Sequence, residues 1–120
     1  MFSTVYHELV RVCPSSAPVF DAENEKLPPS LLSQAFANHL LELYRAGHVE
    51  EFPSLAIQIE RFYTLGNKKA RDWATLGLLE SIQSVWSATE IDPERFRRYL
   101  QPHSLQDWDR LRLVKITGTY

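Results

Sequence analysis

Three observations predict an all-α fold. Apolar residues recur at three- and four-residue steps through most of the chain, and no stretch alternates with a period of two. Glycine and proline fall at or near the ends of these amphipathic runs. The composition, 44% hydrophobic and 23% charged over 120 residues, is that of a globular domain with room for one core. The expectation is therefore a single domain over residues 1–120. It would be a compact bundle of roughly five or six helices, with antiparallel neighbours and a HEAT-like look to its helix pairs.

Phe2, Val5, Leu9 and Val12 mark a first helix over residues 2–13, ended by Pro14. Residues 14–28 read as an acidic loop carrying Asp21, Glu23 and Glu25, with Val19, Phe20 and Leu27 pinning it to the core. A second helix starts near Pro29, buries Leu32, Phe36, His39, Leu40 and Leu43, and stops at Gly47 in a left-handed C′ position. The third has Glu50 and Glu51 in its first turn, where carboxylates suit the dipole, and buries Phe52, Leu55, Ile59 and Phe62 before Gly66.

The run from Asn67 to Trp86 is then expected to be one uninterrupted central helix, N-capped by Asn67. Ala74, Leu78, Ile82 and Val85 share one side of it, and Ala70, Gly77 and Ser81 form a strip that a second helix can approach closely. Trp73, Leu76, Glu80 and Gln83 lie roughly opposite the first strip. Asp92 caps a short fifth helix that ends at Pro102, and Ser104 with Asp107 resembles a capping box for a last helix through Trp108 and Leu111. Residues 115–120 are expected to form a flexible tail.

The net charge of −2 favours neither nucleic acid nor anionic membrane. It is unevenly spread: residues 1–60 carry three Lys/Arg against eight Asp/Glu, and residues 61–120 carry ten against seven. Cys13 is the single cysteine, so an intrachain disulfide is excluded. No apolar run approaches the length of a membrane span and no secretory signal opens the chain, so a cytoplasmic protein is expected.

Chemistry-bearing motifs are sparse. His7, His39, His48 and His103 show no metal-ligand spacing with one another, and no metal or other cofactor is expected. There is no nucleophile elbow, P-loop or dinucleotide fingerprint, and Cys13 at a helix C-terminus reads as packing. The chain is therefore read as a non-enzyme. Asp21, Glu23, Glu25, Glu50 and Glu51 are the candidate contact residues for a basic protein partner, with Trp73 as an anchor. The alternative is a nucleic-acid or phosphate binder using the basic clusters at 68–71 and 95–98.

Two stretches carry a resemblance: A-T-L-G-L-L-E-S-I-Q at 74–83 and Y-L-Q-P-H-S-L-Q-D-W-D-R-L at 99–111. Over residues 30–113 the chain resembles a family of small, uncharacterised bacterial helical proteins. They share a Val/Leu-Gly-Phe/Leu-Leu-Glu core motif, matched here by Gly77 and Glu80, and a late Leu-x-Pro-x-Ser…Trp-x-x-Leu element. Where that family has a context, it lies among immunity proteins that neutralise toxins of bacterial competition. The resemblance implies a non-catalytic protein that blocks a cognate toxin domain, and it carries over no catalytic residue.

Overall fold

A computed structural model describes the backbone of residues 2–21, 24–65 and 68–117; the side chains of residues 2–4, 25, 65, 69–70, 74–76 and 114–117 lie outside that description. Helix α1 spans Phe2–Val12, α2 Pro29–Arg45, α3 Phe52–Leu65 and α4 Lys68–Asp72. A π-helical segment, Trp73–Leu79, continues α4 directly into α5, Glu80–Ala88. Helices α6, Glu94–Arg97, and α7, Pro102–Thr117, complete the fold. Among the described residues there is no strand, so the all-α bundle holds.

The continuous rod formed by α4, the π segment and α5 is the axis of the core. Leu78, Leu79, Ile82, Gln83 and Trp86 on it are all fully buried. Helix α2 lies parallel to it: Trp73 Nε1 donates to the Pro29 carbonyl (3.3 Å), Ser33 meets Ser81 (2.9 Å), and Trp86 Nε1 donates to the Ala37 carbonyl (3.2 Å). The parallel course follows from the two reversals that flank α3. Of the small residues expected to admit a neighbour, Ser81 lies in hydroxyl contact with α2, and Ala70 lies outside the described side chains.

The rod departs from an ideal α-helix at a place that helical periodicity does not mark. On a 100°-per-residue wheel Trp73 falls opposite Leu78 and Ile82, yet all three are buried. A π turn carries an extra residue and so shifts the register of the residues before it. The Trp73 indole lies in the core, beside the Cβ position of Gly77 (3.3 Å) and against Tyr6 at 5.7 Å. The caps expected at Gly66 and Asn67 lie outside the described residues.

Residues 14–28 are not plain loop. Pro14–Phe20 and Asn24–Lys26 are 3-10 helices. Ser16 closes the first by bonding the Cys13 carbonyl through its N–H (2.9 Å) and its hydroxyl (2.6 Å). Phe20 stacks on Tyr6 at 4.8 Å and is buried, whereas Leu27, expected to pin the segment, is 41% exposed.

The last helix also differs from expectation. It begins at Pro102, because a first-turn N–H has no helical partner to lose. It continues through Lys115–Thr117, where a flexible tail was expected; no glycine or proline intervenes before Gly118. Its cap is Glu60 of α3, which accepts the N–H groups of His103 (2.9 Å) and Ser104 (3.0 Å). Ser104 instead bonds both polar backbone groups of Gln101. Short helix α6 is held by Phe96, whose ring lies 5.4 Å from Phe52, 5.9 Å from Trp86 and 6.2 Å from Trp108.

Candidate functional site

The densest group of reactive side chains sits where the first 3-10 helix crosses α2 and the start of α3. Cys13 and Ser15 come from the first segment, His39 from α2, and Glu51 from the residue preceding α3. Pro14 ends α1 and turns the chain so that Ser15 faces both helices. Ser15 donates its N–H to Glu51 Oε1 (3.1 Å) and its hydroxyl makes a short hydrogen bond to Glu51 Oε2. The buried Cys13 thiol donates to the same oxygen (3.2 Å), and His39 Nε2 meets Ser15 Oγ at 2.8 Å.

Counting protons fixes the roles. The Ser15 hydroxyl has one proton, and the carboxylate takes it. His39 Nε2 must then be the donor to Ser15 Oγ, which defines the tautomer. Burial holds the His39 pKa below its ordinary value, although the Glu51 charge pulls the other way, so the ring is neutral at pH 7. A ring that donates to the hydroxyl cannot also remove its proton. His39 is therefore not the base that would activate Ser15 in this arrangement.

The Cys13 thiol is not activated. Burial pushes its thiol up to about 12, and the Glu51 charge adds to this despite opposing bonds from Ser15 and Ser16. Glu51 itself stays ionised: partial burial pushes its pKa up, but the bonds from Ser15 and Cys13 together outweigh that and lower it. The group is a clasp that ties three segments. Among the described residues, no set of three or more His, Cys, Asp and Glu side chains is placed to hold a metal ion.

The expected contact residues are thus divided. Asp21 is exposed at the end of the first 3-10 helix, with Oδ1 accepting the Asn24 N–H (2.8 Å). Glu50 is exposed beside His48 (3.8 Å). Glu51 is half-buried and spent on the clasp. Glu23, and the side chain of Glu25, lie outside the described residues. Trp73 cannot serve as an anchor in this conformation: it is 6% exposed and its indole N–H is bonded to Pro29. The clasp is not legible locally, since its members are separated by up to 38 positions and helical spacing places only His39 on a buried face.

The basic clusters are paired in part within the fold, and Arg95 is exposed. Arg97 forms a two-pronged pair with Asp109 (2.8 and 2.9 Å), Lys68 pairs with Asp72 (3.0 Å), and Arg98 lies over the Tyr99 ring (5.2 Å). Arg71 also interacts within the fold, and the side chain of Lys69 lies outside the described residues. No helix is long and apolar enough to cross a membrane among the described residues.

No curated protein and no solved structure matches this chain. A family model, described as a domain of unknown function (DUF7674), matches residues 6–115. With nearly its whole length covered, the chain belongs to the DUF7674 family.

Proposed function

We propose that this protein is a non-catalytic binding module of the bacterial immunity type, which acts in the cytoplasm by covering a basic surface of a cognate toxin domain. One observation carries the reading. The two Ser15–Glu51 bonds hold the first 3-10 helix against the start of α3, so exposed Asp21 and Glu50 belong to segments in contact. At a 3-10 rise of about 2 Å per residue, Asp21 lies roughly 12 Å along the chain from the clasp. That is well inside a standard interface of about 800 Å² per partner. Acidic groups grouped this way would steer a basic partner and raise the association rate more than the final affinity.

The high-pKa Cys13 thiol, and a serine to which the neighbouring histidine donates, support occlusion over turnover. The two-pronged pairing of Arg97 with Asp109 weakens the phosphate-binding alternative, because that pair would have to be given up to engage a phosphate.

The test begins with capture of the partner from the native host and inspection of the adjacent gene for a toxin domain. Association is then followed by stopped flow with the Asp21→Lys/Glu50→Lys double variant. The association rate at low salt should fall by about tenfold, and its salt dependence should flatten. An unchanged rate would remove this face from the interface.

A further inference from the structure

We propose that the trough between α2 and α5 receives the guanidinium group of an arginine side chain on a protein partner, with Glu80 as its counter-charge. This rests on the protein-binding reading above, but it uses a different face of the molecule. On α2, Ser33 and His39 are six residues apart, hence about 120° apart around the axis. The trough and the clasp therefore open on separate sides of that helix.

Small side chains create the trough. Ser33 donates its hydroxyl to the Ser30 carbonyl (2.9 Å), so in its contact with Ser81 it is the acceptor. This contact draws the two helices together at Ser33 and Ser81, and the side chains around them are too short to fill the space above. The resulting cavity is about 440 Å³, within the roughly 300–1,000 Å³ range of small-ligand sites.

The chemistry of the lining selects the occupant. Among the described residues Glu80 is the one charged residue of the lining, and no described cationic side chain shares the wall with it. Ser30, Gln34 and Ser84 add neutral oxygen acceptors around that carboxylate, while Val85 and Ala88 give an apolar stretch at one end. A guanidinium offers five N–H donors in a plane and carries an aliphatic stem that rests on apolar surface. Lysine offers a compact, strongly hydrated charge that matches a spread of acceptors less well. A phosphate would meet a carboxylate. Glu80 already interacts within the fold, but a carboxylate accepts at several positions and is not closed by one partner. The π segment ends one residue before Glu80, and such segments recur at functional sites.

The test is an NMR titration of the intact protein with N-acetyl-arginine amide. N-acetyl-citrulline amide, the neutral near-isostere, is the control. Arginine should shift the backbone amides of Ser30, Gln34, Glu80 and Ser84 as a group. Citrulline should bind about fivefold more weakly or less, and Glu80→Gln should lose a similar factor for arginine. Ser84→Leu, at an exposed helical position, should fill the trough and abolish the shifts while the remaining spectrum stays folded. Shifts scattered over the whole surface, none at all, or equal binding of arginine and citrulline would overturn the proposal. Failure here leaves the association-rate test at Asp21 and Glu50 standing, and failure there leaves this titration standing.

Discussion

Two helix ends in this protein use the same motif with different residues. After α2, the N–H of Gly47 bonds the Tyr44 carbonyl (3.0 Å) and that of His48 bonds the Leu43 carbonyl (2.8 Å). After α5, Glu90 bonds Ser87 (3.1 Å) and Ile91 bonds Trp86 (3.0 Å) in the same crossed pattern. Both C′ residues are left-handed, with φ of 77° at Gly47 and 65° at Glu90. Glycine adopts this conformation without a Cβ penalty; glutamate does not. A Cβ built on Gly47 meets nothing within 4 Å, so only the dihedral matters there. Glu90→Gly should therefore raise stability by about 1 kcal/mol, and Gly47→Ala should lower it by about the same amount. Urea midpoints with unchanged slopes are the readout. Gly47 was legible from the sequence because glycine signals a left-handed stop. Glu90 was not, since the residue carries no such signal and its dihedral is imposed by the turn.

At the scale of elements, sequence periodicity located the helices wherever the burying face is local. Phe36, Leu40, Ile59, Ile82, Trp86 and Trp108 all lie in the core as their spacing required. It failed where the partner is remote. Glu60 caps α7 from 43 positions away, displacing the nearby Ser104 from the role its local pattern suggested. The π segment was not legible because a fixed 100° wheel offers no reason to shift register, although the central position of the helix favours burial of Trp73, as observed. Deleting Thr75 tests this account. Removing one residue restores α register and rotates Trp73 by about 100° out of the core. The loss should approach the roughly 3–5 kcal/mol of a core tryptophan truncation, with Trp73 fluorescence moving toward solvent. A deletion as stable as the parent would mean that the π turn does not set the packing. Gly77→Ala is the milder probe. Its Cβ would sit 3.3 Å from Trp73 Cδ1, in an indole held by Tyr6 and Pro29. The usual helix-propensity gain of about 1 kcal/mol should therefore not appear.

For the whole molecule, the titrating groups converge on one response to acid. Partial burial pushes the Glu60 pKa up, but the bonds it accepts from the His103 and Ser104 N–H groups outweigh this and lower it. Asp109 is lowered by its bonds from Arg97, and Glu51 is lowered within the clasp. Each contributes stability that is present above the carboxylate's ordinary value and lost as pH falls through its folded value. His39 acts at a higher pH with the same sign. Burial lowers it from an ordinary 6.5, so below that point the unfolded chain takes up a proton that the folded ring resists. Stability should thus decline in two stages: first below 6.5 through His39, then below about 4.5 as the carboxylates lose their native bonds. Urea midpoints at pH 7, 5.5 and 4 should fall in that order. His39→Asn should flatten the step from 7 to 5.5 and leave the lower one, whereas Glu60→Gln should blunt only the lower one. A wild-type midpoint that stays level between pH 7 and 5.5 would mean that the imidazole is not held neutral by its burial, while its donation to Ser15, which the neutral tautomer and the imidazolium can both make, would stand.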